Sequence, residues 1–455
     1  MRAIVIGGGP AGYVAALFLK RGGAEVLLIE RDQIGGTCLN KGCIPTKTII
    51  HHLELLEKTK NQKIINGNDL SGVSIDLQDL MQKKDSVVDI QKKGLSMLLK
   101  QAGIKIINAE ADLIAPYTVF LRETSEKIQA DKIIIATGSK PAKLPILDFN
   151  DINILSSDDL WKLRNIPRSI IIIGAGAIGT EFAWIFHLLG SKVSIVEVMP
   201  RVLPMEDEEV SKEVEKLFKK RKIEFHTGVS IKDLQIFDNS VEITLSNEKK
   251  LKGEIVLVSV GRSFNTECIK ISDIKLGNKR EIMVNERMQT NIEDIYAAGD
   301  VTGSWLLAHV AYREGEVAAK NAMGQNKKMD YSAIPSTIFT VTEVASVGLR
   351  EKEAIQKGLN IKKGIFPFRA LGKAHLVGQI DGFVKLIADK DSETIVGAHI
   401  VGSLASELIH ELALAVKLKI KIKELDELIH SHPTLSECIG EAIKDLSGEA
   451  IHKIR

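Results

Sequence analysis

Cysteine is scarce in this chain: Cys38, Cys43, Cys268 and Cys438 are the four among 455 residues. That is far too few for a disulfide scaffold, so a reducing compartment is expected, where paired cysteines serve catalysis or sensing. An excess of one charge is also missing. The 61 Lys+Arg balance 59 Asp+Glu to a net +2, with the signs mixed along the chain, which excludes the basic footprint of a nucleic-acid partner. No apolar run is long enough to span a membrane uninterrupted. Ile170 to Gly190 comes nearest, but Gly174, Gly176 and Gly179 break it and Glu181 sits near its centre, so it reads as strand, turn and helix, and no membrane partner is expected. The amino terminus enters Ala3-Ile4-Val5-Ile6 and a glycine turn without a charged leader or cleavage site, and a cytoplasmic location is expected. Low-complexity tracts are absent. At 44% hydrophobic and 26% charged residues the composition is that of a globular protein, and the length suggests about three domains at roughly 150 residues each.

What is present first is an internal repeat. Ala3 to Ile6 leads into Gly7-x-Gly9-x-x-Gly12 and on to Glu30, and Ile170 to Ile173 leads into Gly174-x-Gly176-x-x-Gly179 and on to Glu197. Both acids follow the third glycine at the same distance. Each copy is an apolar run, a glycine turn, a helical pattern and a second apolar run, which makes a βαβ unit. The first glycine permits the tight turn, the second lets backbone approach a pyrophosphate, and the third lets helix pack on strand. The phosphates then sit at a helix N-terminus, and the acid accepts from a ribose hydroxyl. A single such turn also serves as a plain strand-to-helix corner. Two copies with matched acids imply two dinucleotide sites.

The stretch Gly35-Gly36-Thr37-Cys38-Leu39-Asn40-Lys41-Gly42-Cys43-Ile44-Pro45-Thr46-Lys47 follows the first unit. On a straight helix, residues five apart rise about 7.5 Å and point to different sides, so pairing of the cysteines needs a distorted backbone, for which Gly42 supplies the freedom. Pro45 suits the first turn of a helix running through Lys47 to Leu56. Cys43 then lies near that helix N-terminus, where a thiolate is stabilised. Two unpaired buried cysteines remain the alternative on these residues alone.

With these flanks the chain resembles the pyridine nucleotide–disulfide oxidoreductases, and within them the branch that oxidises dihydrolipoyl groups. The resemblance spans the chain through Ala136-Thr137-Gly138, the second glycine turn with Glu181, Val260-Gly261-Arg262, Ala297-Ala298-Gly299-Asp300, Phe339-Thr340 with Glu343, Val347-Gly348, and His432-Pro433-Thr434-Leu435-Ser436-Glu437. It implies an α/β fold of two Rossmann-like dinucleotide-binding domains, for FAD and NAD, followed by an α+β dimerisation domain. The expected bounds are 1–140 and 261–330 for FAD, 141–260 for NAD and 331–455 for the interface domain, with a candidate hinge from Ser156 to Pro167. It further implies that Gly7, Gly9, Gly12, Glu30, Thr37, Gly138 and Gly261 belong to cofactor binding and that Asp300 holds the ribityl chain. Cys43 is then the thiol against the flavin, Cys38 the outer thiol that exchanges with substrate, and Lys47 a neighbour of the flavin paired with Glu181. Each has a plainer reading: a solvated Lys47, Glu181 as a first-turn acid, Asp300 in a turn.

Gly174, Gly176, Gly179 and Glu197 would bind the nicotinamide cofactor. Glu197 accepts from a free 2′-OH and repels a 2′-phosphate, so NAD is expected over NADP, with Arg201 the one basic residue nearby that argues otherwise. His432, a base suited to neutral pH, would be oriented by Glu437 and reach the disulfide of a second subunit of a homodimer. Against this, Thr434-x-x-Glu437 also matches a capping box, in which Glu437 only ties down a helix near Leu435. His430 is ranked as a supporting histidine and His309 as packing. The partner implied is a lipoyl-bearing protein of a 2-oxo acid dehydrogenase complex or a glycine cleavage system. The runner-up readings are another disulfide reductase of the family and a non-catalytic flavoprotein subunit. Mercuric reductases end in vicinal cysteines, which the run Ile451 to Arg455 lacks. Phe264 and Thr342 stand where the family has prolines. No metal site is expected.

Overall fold

A computed structural model describes residues 1–61, 75–147, 149–150 and 152–453, so that Ile454 and Arg455 of the terminal run lie outside the described residues. The chain divides into two compact units, one of Met1–Lys143, Ser156–Asn165 and Gly261–Asp330, the other of Leu144–Leu155, Ile166–Val260 and Tyr331–Arg455.

The first unit is built on a five-stranded parallel sheet in the order Ile295–Ala297, Lys132–Ile135, Arg2–Ile6, Glu25–Glu30, Lys105–Asn108. Ala3, Ile4 and Val5 are fully buried, as expected for strands covered on both faces. Helices Pro10–Arg21 and Ala308–Ala322 lie in this unit, as do the redox-loop helices Gly36–Asn40 and Cys43–Asn61 and the long helix Leu77–Gln101. The last is started by Asp76, whose carboxylate accepts from the N–H groups of Gln78 and Asp79, satisfying donors that no helical turn can reach.

The second unit repeats the parallel arrangement: Glu224–Thr227, Lys192–Glu197, Ser169–Ile173, Ile255–Val258, Ile154–Ser156. The two repeats agree in register, Arg2 facing Glu25 in one and Ser169 facing Lys192 in the other. Its carboxyl-terminal part is a five-stranded antiparallel sheet in the order Ser336–Phe339, Glu343–Gly348, Thr394–Val401, Phe383–Asp389, Ile361–Pro367. Helices Ala405–Leu418 and Glu437–Asp445 pack on it over a core that includes Phe366, Leu386, Ile400, Leu412 and Ile439.

Local boundaries differ from the sequence reading in three places. The run Ile338-Phe339-Thr340-Val341, β-like in its sequence, forms a strand only as far as Phe339, because the Thr340 hydroxyl turns back to donate to the Thr342 carbonyl. The last helix begins at Glu437 rather than Leu435, since Thr434 is occupied in a turn with Ser431 and Ser436. Glu181 is not a first-turn acid. Its helix, Ala177–Leu188, has none, and the buried Glu181 carboxylate accepts instead from the Phe339 N–H at 3.1 Å.

Candidate functional site

Both glycine turns have the geometry a diphosphate requires. Gly7 and Gly174 open them at φ +103° and +104°, where only glycine is unstrained. A Cβ on Gly12 would lie 1.8 Å from the Gly7 carbonyl oxygen and one on Gly179 1.9 Å from that of Gly174. Alanine is therefore excluded by backbone at both. Gly9 and Gly176 cap the following helices without a side-chain partner, and neither first turn carries an acid. The leading N–H groups and the positive end of the dipole are thus left for an anion.

The two acids are held alike. Glu30 accepts from Gly8 N at 2.6 Å and Asp32 N at 2.8 Å, and Glu197 from Ala175 N at 2.7 Å and Met199 N at 2.8 Å. Each carboxylate fastens its glycine turn to the end of its second strand and keeps further lone pairs for ribose hydroxyls. Residues and geometry fit one dinucleotide in each unit. Arg201 is engaged elsewhere: its guanidinium donates to the carbonyls of Pro204 and Glu206 at 3.0 and 3.1 Å and faces Glu208 at 3.3 Å. The basic residue that argued against a free ribose is committed to its own loop.

Within the first unit the structure gathers Gly138, Gly261 and Asp300. Strands Ser139–Pro141 and Arg262–Phe264 pair antiparallel, with Phe264, at a position where the family has proline, opposite Ser139. The Ser139 hydroxyl donates to Asp300 Oδ2, while Arg262 Nε reaches the same hydroxyl at 2.6 Å and its Nη2 the Ser139 carbonyl at 2.9 Å. Ser139 and Arg262 went unremarked as site residues in the sequence, because each matters only through the other's strand. His309 lies in the first turn of Ala308–Ala322.

Cys38 and Cys43 lie with sulfurs 2.6 Å apart, on the short helix Gly36–Asn40 and at the first residue of Cys43–Asn61. The break between these helices brings together sulfurs that a straight helix would hold apart. Lys41 N and Gly42 N both donate to the Thr37 carbonyl, at 2.8 and 2.6 Å. The Cys38 thiol is pushed well above the usual range by its hydrogen bond with Cys43 and then by burial, with the Lys47 ammonium acting the other way. Of the two remaining cysteines Cys268 is half-buried and Cys438 buried; desolvation raises Cys268 to about 11, and it raises Cys438 further.

In the second unit His432 is exposed, with Nδ1 2.8 Å from Glu437 Oε1, and Glu437 Oε2 accepts from Thr434 N at 2.8 Å. One carboxylate therefore makes both hydrogen bonds, to the His432 ring and to the Thr434 N–H, although the helix starts at Glu437 with Ser436 as its cap, so that Thr434 and Glu437 do not form its capping box. Burial tends to raise Glu437, but the bonds from His432 and Thr434 hold it below the usual carboxylate range. It stays ionised and can stabilise an imidazolium at His432. His430 makes a separate pair, Nε2 3.1 Å from Glu411 Oε1. Among the described residues no cluster of metal-ligating side chains occurs, and no helix is long and apolar enough to cross a membrane.

Comparison with known proteins agrees with this geometry. Residues 1–315 match the family described as pyridine nucleotide-disulphide oxidoreductase, and residues 334–443 match its dimerisation domain. Dihydrolipoyl dehydrogenase of Chlamydia muridarum is 40% identical over 444 residues, covering 96% of this chain and 95% of the relative. That of Bacillus subtilis is 38% identical over 467 residues, covering 99% and 98%. Among solved structures, LpdA of Mycobacterium tuberculosis is similar at a TM-score of 0.89 and 27% identity, covering 98% of this chain and 99% of that one. The HOCl-induced flavoprotein disulfide reductase RclA of Escherichia coli is similar at 0.88 and 25%, covering 98% and 100%.

Proposed function

Because the chain belongs to the pyridine nucleotide-disulphide oxidoreductases, which bind FAD and a pyridine nucleotide, we propose that it acts as a dihydrolipoyl dehydrogenase. It oxidises a protein-bound dihydrolipoyl group and reduces NAD+. The observation that carries this reading is the adjacent Cys38 and Cys43 in a chain that also carries a His432–Glu437 pair. RclA supports a second reading, reduction of some other disulfide, and the 40% and 38% identities to dihydrolipoyl dehydrogenases weigh against it.

His432 takes the proton of a dihydrolipoyl thiol, and Glu437 stabilises the resulting imidazolium. The substrate thiolate attacks Cys38 Sγ of the disulfide, and Cys43 leaves as thiolate. The second substrate thiol then displaces Cys38, closing the lipoyl disulfide and leaving two electrons on the cysteine pair. Bound FAD supplies the two-electron conduit from that pair to nicotinamide. Gly7, Gly9, Gly12 and Glu30, with Thr37, Lys47, Gly138, Gly261 and Asp300, are the residues assigned to hold FAD. Gly174, Gly176, Gly179 and Glu197 are assigned to NAD, and Glu181 to the pairing with Lys47 beside the flavin. FAD is taken to be bound by 1–140 and 261–330, NAD by 141–260, and subunits joined through 331–455, with His432 serving the partner subunit's disulfide.

Glu197 leads to a measurable preference. In dihydrolipoamide oxidation, kcat/KM with NAD+ is expected to exceed that with NADP+ by at least about tenfold, roughly 1.4 kcal/mol, since a 2′-phosphate brings negative charge against a carboxylate already fixed by two N–H groups. Equal values would show that the acid does not select the cofactor. Failure to reduce either cofactor would overturn the substrate assignment.

A further inference from the structure

The loop between the two cysteines is tied to a residue about 120 positions away. Trp161 Nε1 donates to the Lys41 carbonyl at 2.7 Å, and Lys41 lies between Cys38 and Cys43. The tryptophan is itself held. It sits in a short 3-10 turn, Leu160–Lys162, entered through Asp159, whose carboxylate accepts from the Ser156 N–H at 3.1 Å and the Ser156 hydroxyl at 2.6 Å. The ammonium of Lys84, a residue only 6% exposed, lies 5.6 Å from the centre of its ring. The segment that the sequence presented as a hinge thus carries a fixed indole donor aimed at the redox loop.

Nearer in sequence the loop is tied by Lys41 N and Gly42 N to the Thr37 carbonyl, Thr46 N to the Gly42 carbonyl, Asn40 Nδ2 to the carbonyls of Gly36 and Ile34, and the exposed Lys41 ammonium to Asp32 at 2.9 Å. The Trp161 bond comes from a remote segment of the chain, so it restrains the loop against the body of the unit rather than against itself.

We propose that Trp161 is a positioning residue for the redox pair, its indole N–H fixing the Lys41–Gly42 peptide so that Cys38 and Cys43 stay within bonding reach when they are reduced. This rests on the reading that the pair cycles between disulfide and dithiol. In forming the disulfide, the two thiols together lose two protons and two electrons to an oxidant, which in the test below is a dithiol's own disulfide. The equilibrium constant of that closure follows the effective concentration of one thiol at the other, and a loop that is restrained when open loses less entropy on closing. Without the indole donor the dithiol loop gains freedom. The constant then falls about tenfold, and the potential becomes less negative by about 30 mV for a two-electron couple.

The test uses the flavin-loaded protein equilibrated in dithiothreitol buffers of graded oxidised-to-reduced ratio, with free thiols trapped by alkylation and Cys38 and Cys43 quantified by mass spectrometry. Trp161→Phe keeps an aromatic ring but not the N–H. Incorporation of 3-benzothienylalanine at position 161 keeps the full indole shape and exchanges N–H for sulfur. Both are expected to shift the equilibrium about tenfold toward dithiol at unchanged flavin content. Lys84→Met, which leaves the N–H in place, is expected to stay within about twofold of wild type even where it lowers the melting temperature. A wild-type equilibrium in the folded, flavin-loaded benzothienyl variant overturns the proposal. No dihydrolipoamide or nicotinamide enters the measurement, so a wrong substrate assignment leaves this result intact. A wild-type pair that never exchanges with dithiothreitol would instead overturn the redox reading, and the proposal with it.

Discussion

Replacing His432 with alanine is expected to lower dihydrolipoamide turnover by roughly 10²–10⁴, the range for loss of a positioned general base. FAD content and fold should be unchanged. His432 is exposed and, among the described residues, its side-chain partner is the partly exposed Glu437, so its removal leaves no cavity in a core. The defect is then one of proton transfer. Glu437→Ala separates two contributions of one carboxylate. Loss of its bond to Thr434 N should lower stability by about 1 kcal/mol, as for a lost cap, and loss of its bond to His432 should lower turnover, less severely than His432→Ala does. A stability loss with nearly intact turnover would leave Glu437 as a tie to Thr434 only. On the proposal that His432 serves the partner subunit's disulfide in a two-fold dimer, mixing inactive Cys38→Ser chains with inactive His432→Ala chains under subunit exchange is expected to restore about a quarter of wild-type activity. Half the dimers are then mixed, each with one intact site. No recovery despite demonstrated exchange would assign His432 to its own chain's disulfide or to none.

Lys385→Met is expected to destabilise the protein by roughly 3–5 kcal/mol, the cost of leaving the buried Asp207 carboxylate, flanked by two partly exposed ones, without its cation. Lys385 is 1% exposed in strand Phe383–Asp389, with Nζ 2.8 Å from Asp207 Oδ1, 2.7 Å from Glu351 Oε2 and also against Glu209. Burial alone would lower the lysine's pKa, but the three carboxylates reverse this and leave it raised. Burial likewise would raise Asp207 and Glu351, and Lys385 brings both below the usual carboxylate range. The sign of the pH dependence follows. Depressed acids stabilise the fold above their unfolded pKa of about 4 and lose that contribution as pH falls through their folded values. A raised lysine contributes below about 10.4 and loses it above. In urea unfolding, the difference between wild type and Lys385→Met should be level between pH 7 and 9 and narrow below about pH 4. A difference under 1 kcal/mol at pH 7 would mean that water replaces the lysine.

The dinucleotide units were legible in the sequence because their chemistry is local. The turn, the close helix approach at Gly12 and Gly179 and the acid at the strand end all lie within one βαβ span, where spacing alone determines who meets whom. The cysteine pair was legible for the same reason, with Gly42 marking the break between two helices. What sequence reading missed depends on distant partners. Nothing in Ser156 to Pro167 signals that Trp161 meets a carbonyl at Lys41, since a backbone acceptor leaves no trace in residue type. Lys385 sits in a strand whose alternation gives no hint that its charge is interior. Its partners, Asp207, Glu209 and Glu351, belong to other elements, and only the fold brings them together. Of the two readings of Glu181, the plainer one as a first-turn acid fails because its helix starts at Ala177, and its backbone partner Phe339 lies far along the chain.

Whether Cys38 and Cys43 carry electrons from a dihydrolipoyl group toward NAD+ is decided by steady-state kinetics of the flavin-loaded protein. The comparison sets dihydrolipoamide with NAD+ against oxidised glutathione with NADPH. The account predicts stoichiometric NADH formation in the first, abolished in Cys43→Ser, and turnover at least a hundredfold slower in the second. Efficient glutathione reduction with no NADH from dihydrolipoamide would contradict it.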